Sequence, residues 1–155
     1  MDAEPKLNLS TNKLNELELL MEIHDIGKRT LSEELPLKDV SEFSKEKLFE
    51  YKKHPENGYR IALGVPELKH ITEEILSHHE HWDGSGYPKR IRGEQIPFLS
   101  RIVCVMDTYD QFTKGGMLEN KKDYDKVLEL MSSYSGIYFD PDVIKVFLDI
   151  VKKND

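Results

Sequence analysis

In the segment that begins at Leu68, the residues Leu68, Ile71, Ile75, His78 and His79 follow one another at offsets of three, four, three and one. That spacing puts them on one face of a helix, so an apolar stripe closes in two adjacent imidazoles. Ionisable groups aimed inward must be paired, neutralised or bound to a metal. The fold therefore has to accommodate histidines in its interior. The pattern recurs in two other places. Leu14, Leu17, Met21 and His24 run along a helix that Gly27 can stop. Leu99, Val103, Met106, Asp107 and Asp110 share a face of a helix opened by Ile96-Pro97.

The rest of the chain is also helical in pattern. Residues 29–44 lack a clear period and contain Pro36, which predicts a loop before a helix over 45–53. Pro55 opens a further short helix and leaves His54 at the joint. Tyr124, Val127, Leu128 and Met131 mark another helix. Asp140 is a candidate N-cap, with Pro141 at the first helical position and Ile144, Phe147, Leu148 and Val151 on the apolar face. No segment alternates as a strand does, and no internal repeat occurs. The reading is one all-α domain over residues 1–155, with 1–12 expected to be flexible.

At 155 residues the chain can bury one sizeable core. It carries 22 Lys and Arg against 29 Asp and Glu, for a net charge of −7, with the bases scattered. This argues against binding of long nucleic acid by phosphate neutralisation. A small anionic substrate would need local positive charge, such as a metal. The single cysteine, Cys104, lies in the apolar run RIVCVM, which predicts a buried, inert thiol and no disulfide. No apolar stretch approaches a membrane span and the N-terminus does not resemble a signal peptide, so a cytoplasmic location without membrane contact is expected.

Taken together, His24, His54, His78, His79 and Asp107 sit where helix faces or joints turn inward. Imidazoles and carboxylates converging inside a small helical domain are what one or more divalent metals require. Nitrogen and oxygen donors without thiolate favour iron or manganese over zinc. His78 and His79 point roughly 100° apart on a helix, so they reach different metals or different sides of one. His70 lies off the stripe and His81 in a turn, and both are expected at the surface. Two metals about 3.5–4 Å apart would clamp the oxygens of an in-line displacement at phosphorus. Lys28, one turn beyond His24, could stabilise charge on the phosphate. In the turn that follows the histidines, Gly84 and Gly86 allow close approach of the backbone and Pro88 stiffens the exit. Trp82 and Tyr87 either stack on a base or simply pack.

With HDIGK at 24–28, HPENGY at 54–59, HHEHWDGSGYP at 78–88, RGEQIPFLSRIVCVMDTYD at 92–110 and YFDPDVI at 138–144, the chain resembles the HD-GYP family of HD metal-dependent phosphohydrolases. The resemblance implies an HD-domain-like helical bundle of about five to seven helices. It also implies two or three divalent metal ions and hydrolysis of cyclic di-GMP, or a related dinucleotide, to pGpG or GMP. By the same resemblance the metal ligands are His24, Asp25, His54, His78, His79 and Asp107. Asp25 and Lys28 take the catalytic roles, and Lys28, Asp83, Gly86 and Tyr87 meet the substrate. Family members commonly sit behind a sensory or receiver domain upstream.

Three departures accompany the likeness. The family's further helix, which precedes the one ending in the HD pair and supplies another histidine ligand, has no counterpart here, which predicts an N-terminal truncation, an open apolar surface and a homodimer. Residues 116–119 replace the Arg-Pro-Tyr cations, with Lys114 and Lys121 as substitutes. RTLSEEL at 29–35 stands where the family commonly has GIPD. The departures support a second reading, a poorly active signalling or interaction module. The third reading is an HD phosphohydrolase acting on another nucleotide, against which the GYP loop argues.

Overall fold

The computed structural model describes residues 7–32, 40–114 and 121–153. These form seven α-helices and no strand: α1 (Thr11–Ile23), α2 (Lys45–Tyr51), α3 (His54–Leu63), α4 (Thr72–Ser77), α5 (Phe98–Lys114), α6 (Lys121–Ser133) and α7 (Pro141–Lys153). Short 3₁₀ turns at Ile26–Thr30, Pro66–Ile71 and Gly93–Gln95 join them. The expected all-helical bundle is present. Pro36, residues 33–35 and the departure at 116–119 lie outside the described residues, as do the side chains of Lys114 and Lys121.

Local chemistry sets the helix ends. Ser10 accepts from the Lys13 N–H and opens α1, and Ser44 does the same for α2 through Lys47. Within the stretch expected to be flexible, Leu7 and Leu9 pack against the core. Asp140 caps α7 as its sequence suggests: Oδ1 accepts from the N–H of Asp142 at 2.9 Å and of Val143 at 3.5 Å. The stripe from Leu68 to His79 is not one helix. It starts as the 3₁₀ turn from Pro66 and breaks at Ile71, whose ψ of 12° is not helical, before α4 resumes. The inward face survives the break, because Ile71, Ile75 and His78 are all buried.

Helix α5 runs through the middle, with Ile102, Val103 and Val105 in a core shared with Leu20, Ile75, Met131, Phe139 and Ile144. Helix α1 is less enclosed than its spacing suggests. Leu20 is buried, but Leu14 is 46% exposed. It borders an apolar groove of about 550 Å³ between α1, α5 and α7, lined also by Val105, Phe147 and Ile150. Among the described residues no helix is long and apolar enough to cross a membrane.

Candidate metal centre

Two glycines bring the site's three segments together. A Cβ on Gly27 would lie 1.9 Å from the His54 carbonyl oxygen and 2.5 Å from the Gly58 N. Only a hydrogen fits there, so the turn after α1 presses directly on the start of α3. A Cβ on Gly58 would in turn meet Ile75 Cγ2 at 2.9 Å. Through these contacts the HD pair, the start of α3 and the end of α4 meet at one point.

At that point all six expected ligand residues converge. Asp25, His54, His78 and His79 form one group, and His24, Asp25 and Asp107 form a second. In each group the ligand atoms lie within 4.8 Å of one another, and Asp25 belongs to both. Its carboxylate is divided between them. Oδ1 lies 3.3 Å from His54 Nε2 and 3.7 Å from His78 Nε2, while Oδ2 lies 3.5 Å from His24 Nε2. His24 Nε2 is also 3.6 Å from Asp107 Oδ1.

Three of the imidazoles are aimed by backbone carbonyls three residues earlier in the chain. Nδ1 of His24, His54 and His78 lies 2.9, 2.7 and 2.6 Å from the carbonyl oxygens of Met21, Tyr51 and Ile75. A carbonyl only accepts, so each Nδ1 carries the hydrogen and each neutral ring presents the Nε2 lone pair to the centre. His54 Nε2 then stands 3.3 Å from His78 Nε2 and 3.1 Å from His79 Nε2. The His54 and His78 lone pairs repel at that distance unless a cation lies between them, whereas His79, whose tautomer no carbonyl fixes, can donate to His54. Moreover, His24 Nε2 and Asp25 Oδ1 are buried with no hydrogen-bond partner. An orphaned donor set of this composition fits divalent metal ions.

Electrostatics agree for His78 and His79, whereas at His24 burial is outweighed by Asp107 and Asp25, which raise its pKa. Burial holds the His78 pKa below its ordinary value and the His79 pKa well below it. Both rings are therefore neutral, as ligation requires. Burial opposes ionisation of Asp25, and the Lys28 ammonium on Oδ2 holds the carboxyl below the usual range against it. Lys28 Nζ donates to Asp25 Oδ2 at 2.6 Å and lies 5.3 Å from the Tyr51 ring centroid. Burial opposes its charge too, and the Asp25 carboxylate outweighs that.

The GYP loop folds back over His79. A Cβ on Gly86 would come within 2.5 Å of the His79 carbonyl oxygen and 2.3 Å of the His81 N. The Tyr87 ring stacks on His79 at 4.9 Å. Asp83 is exposed, accepts from the Ser85 N–H at 2.8 Å in the turn, and belongs to neither ligand group. Trp82 has the Arg101 guanidinium 5.5 Å above its ring. His70 is exposed, and His81 bonds Ser85 Oγ at 3.0 Å; neither joins the cluster. Cys104 is buried and its pKa is pushed up to about 12 by burial, so the thiol is inert.

Motif reading alone does not assign a role to Glu80 or Tyr51. Glu80 is 2% exposed, and its Oε1 accepts from the N–H groups of Lys89 at 2.6 Å and Arg90 at 3.1 Å, bracing the loop exit. The signal was an acid placed between an inward histidine and a turn whose amides need acceptors. Buried Tyr51 supplies both the carbonyl that aims His54 and the ring beneath Lys28.

Known proteins resemble this chain in sequence and in fold. The profile of the HD domain family matches residues 3–143. A cyclic di-GMP phosphodiesterase of Vibrio cholerae is 33% identical over 138 residues, covering 84% of this chain and 28% of that protein. One of Thermotoga maritima is 31% identical over 150 residues, covering 96% and 40%. The chain thus spans well under half the length of these relatives. A crystal structure of a cyclic GMP-AMP specific phosphodiesterase of Vibrio cholerae superposes with a TM-score of 0.70 at 21% identity, over 96% of this chain and 40% of that one. With the HD pair at the junction of both ligand groups and the profile spanning nearly all of its length, the chain belongs to the HD domain family.

Proposed function

We propose that this domain is a metal-dependent phosphodiesterase that hydrolyses cyclic di-GMP to pGpG or GMP. The observation that carries the reading is the Asp25 carboxylate, whose two oxygens face two separate ligand groups while Lys28 sits on one of them. Such a carboxylate is what a pair of ions clamping one phosphate requires. The relatives named as cyclic di-GMP phosphodiesterases support the substrate.

His54, His78, His79 and Asp25 would hold one ion; His24, Asp25 and Asp107 would hold the other, with iron or manganese suited to the mixed nitrogen and oxygen donors. When bound, such ions polarise phosphoryl oxygens and lower the pKa of water. The protein's part is orientation and charge. Backbone carbonyls fix the imidazole tautomers. Lys28, held over Tyr51, stabilises the negative charge that develops on the phosphoryl oxygens. Burial of His54 and His78 keeps water from the inner side of the centre.

The test is turnover of cyclic di-GMP, cyclic GMP-AMP, linear pGpG and mononucleotide phosphoesters by protein loaded anaerobically with manganese or iron. Preferential cleavage of cyclic di-GMP is expected. Cleavage of mononucleotides alone, or of nothing, overturns the reading. Preference for cyclic GMP-AMP, the substrate named for the structural neighbour, would revise the base specificity and leave the chemistry standing.

A further inference from the structure

One cation at the rim of the centre has no carboxylate partner among the described residues. Lys52 is exposed just before α3, and its Nζ lies 5.1 Å from the centroid of Tyr87, the ring that stacks on His79. In a chain with 29 acids and 22 bases, an ammonium held over an aromatic face and left without an anion is available to a ligand. His81 belongs to the same loop as Tyr87, and Gly86, beside Tyr87, packs so closely on it that a Cβ there would lie 2.3 Å from the His81 N.

The His81 ring is fixed on two sides. Ser85 Oγ lies 3.0 Å from its Nδ1, and one face stacks on Tyr138 at 4.2 Å and 26°. Tyr138 is itself stacked on Tyr134 at 4.6 Å and 7°. Among the described residues no second ring lies against His81. A pre-ordered aromatic column therefore ends in an imidazole on the loop that covers His79, beside an ammonium that no carboxylate among the described residues meets.

We propose that Lys52 and His81 form a subsite for the half of a cyclic dinucleotide that does not react, Lys52 holding its phosphate and His81 stacking on its base. This rests on the reading of the centre as a cyclic-dinucleotide phosphodiesterase. A cyclic dinucleotide carries two phosphates, and the buried centre can take only one. The other must lie over an acidic protein, where it is repelled unless a cation meets it. A purine has a π-face that an imidazole backed by two tyrosines can cover.

The experiment compares manganese-loaded wild type with Lys52→Ala, Lys52→Arg, His81→Ala, His81→Phe and Lys69→Ala. Lys69 is exposed on the 3₁₀ turn before α4 and controls for loss of one charge. The substrates are cyclic di-GMP and bis(p-nitrophenyl) phosphate, which has one phosphodiester and no base. Lys52→Ala and His81→Ala are expected to raise KM for cyclic di-GMP about tenfold with kcat within about twofold. Their loss in kcat/KM should be at least about fivefold smaller for the single phosphodiester. Lys52→Arg and His81→Phe should recover most of the loss, and Lys69→Ala should show none. Equal losses on both substrates, or no loss, overturn the subsite and leave the phosphodiesterase reading intact. If wild type cleaves only the single phosphodiester, or neither substrate, equilibrium binding of cyclic di-GMP to the same preparations decides. Tight binding weakened about tenfold by Lys52→Ala keeps the subsite while the hydrolytic reading falls. Absence of binding overturns both.

Discussion

The two halves of the centre are built differently. The half made by Asp25, His54, His78 and His79 is rich in nitrogen, and its rings touch one another: His78 and His79 have centroids 4.2 Å apart, and His54 lies 4.9 Å from His79. His54 and His78 are buried and hooked to carbonyls within their own short segments. The half made by His24, Asp25 and Asp107 has one nitrogen donor and two carboxylates, and Asp107 reaches it from the middle of α5. There Gln111 Nε2 donates to the second Asp107 oxygen at 2.6 Å. The nitrogen-rich half is thus organised before any ion arrives. The oxygen-rich half depends on two partly exposed carboxylates and offers one donor fewer, so it should bind its ion less tightly.

Asp25 is where the contrast can be broken outright. Because it faces both halves, Asp25→Asn should deplete both ions and lower turnover on the order of 10³-fold. Metal analysis with parallel kinetics checks this. Full retention of either ion would show that the carboxylate is not shared.

Smaller losses should separate the halves. His79→Ala should empty the nitrogen-rich half and Asp107→Ala the oxygen-rich one, each lowering turnover about 10²-fold. On titration with chelator, wild type should release its ions in two steps, and Asp107→Ala should lack the weaker one. A single step in wild type would contradict the difference in affinity. His70→Ala, far from the cluster, should change neither content nor rate.

Lys28 tests whether the charge around Asp25 serves binding or chemistry. It donates to Asp25 Oδ2 yet offers no lone pair to a metal while protonated. Lys28→Ala should keep the metal content of wild type and lower kcat by about tenfold to a hundredfold. Loss of metal in parallel with rate would make it a support of the Asp25 carboxylate instead.

Most of this arrangement can be read in the sequence, for a physical reason. A stripe of apolar residues that ends in His24 or His78 must carry that imidazole inward whether or not the helix is continuous. That is why the break at Ile71 did not move His78 out of the site. The division of the donors into two groups is not legible. It depends on how closely the turn at Gly27 approaches α3, a distance set by atoms far apart in the chain. Periodicity likewise marks Leu14 as inward, because it cannot say whether anything packs on that side of α1.

Glu80 should give the smallest effect, and it bears on why His79, less buried than His54 and His78, is nevertheless held in place. His79 is covered by Tyr87 from the GYP loop, and the loop's exit is tied down by Glu80 Oε1 through the amides of Lys89 and Arg90. Burial raises the Glu80 pKa while those amides oppose it, and its Oε2 has no partner. Only one oxygen is therefore used as an acceptor, and an amide side chain can supply that oxygen equally well. Glu80→Ala takes the acceptor from the Lys89 and Arg90 N–H groups and should lower stability by about 1 kcal/mol. It should also lower occupancy of the nitrogen-rich half a few-fold, as Tyr87 loses its hold on His79, while the oxygen-rich half keeps its ion. Glu80→Gln should restore both stability and occupancy. Thermal melts and metal analysis of the two variants check this. If Glu80→Gln is as damaged as Glu80→Ala, the carboxylate acts through its charge and not as a brace for the loop.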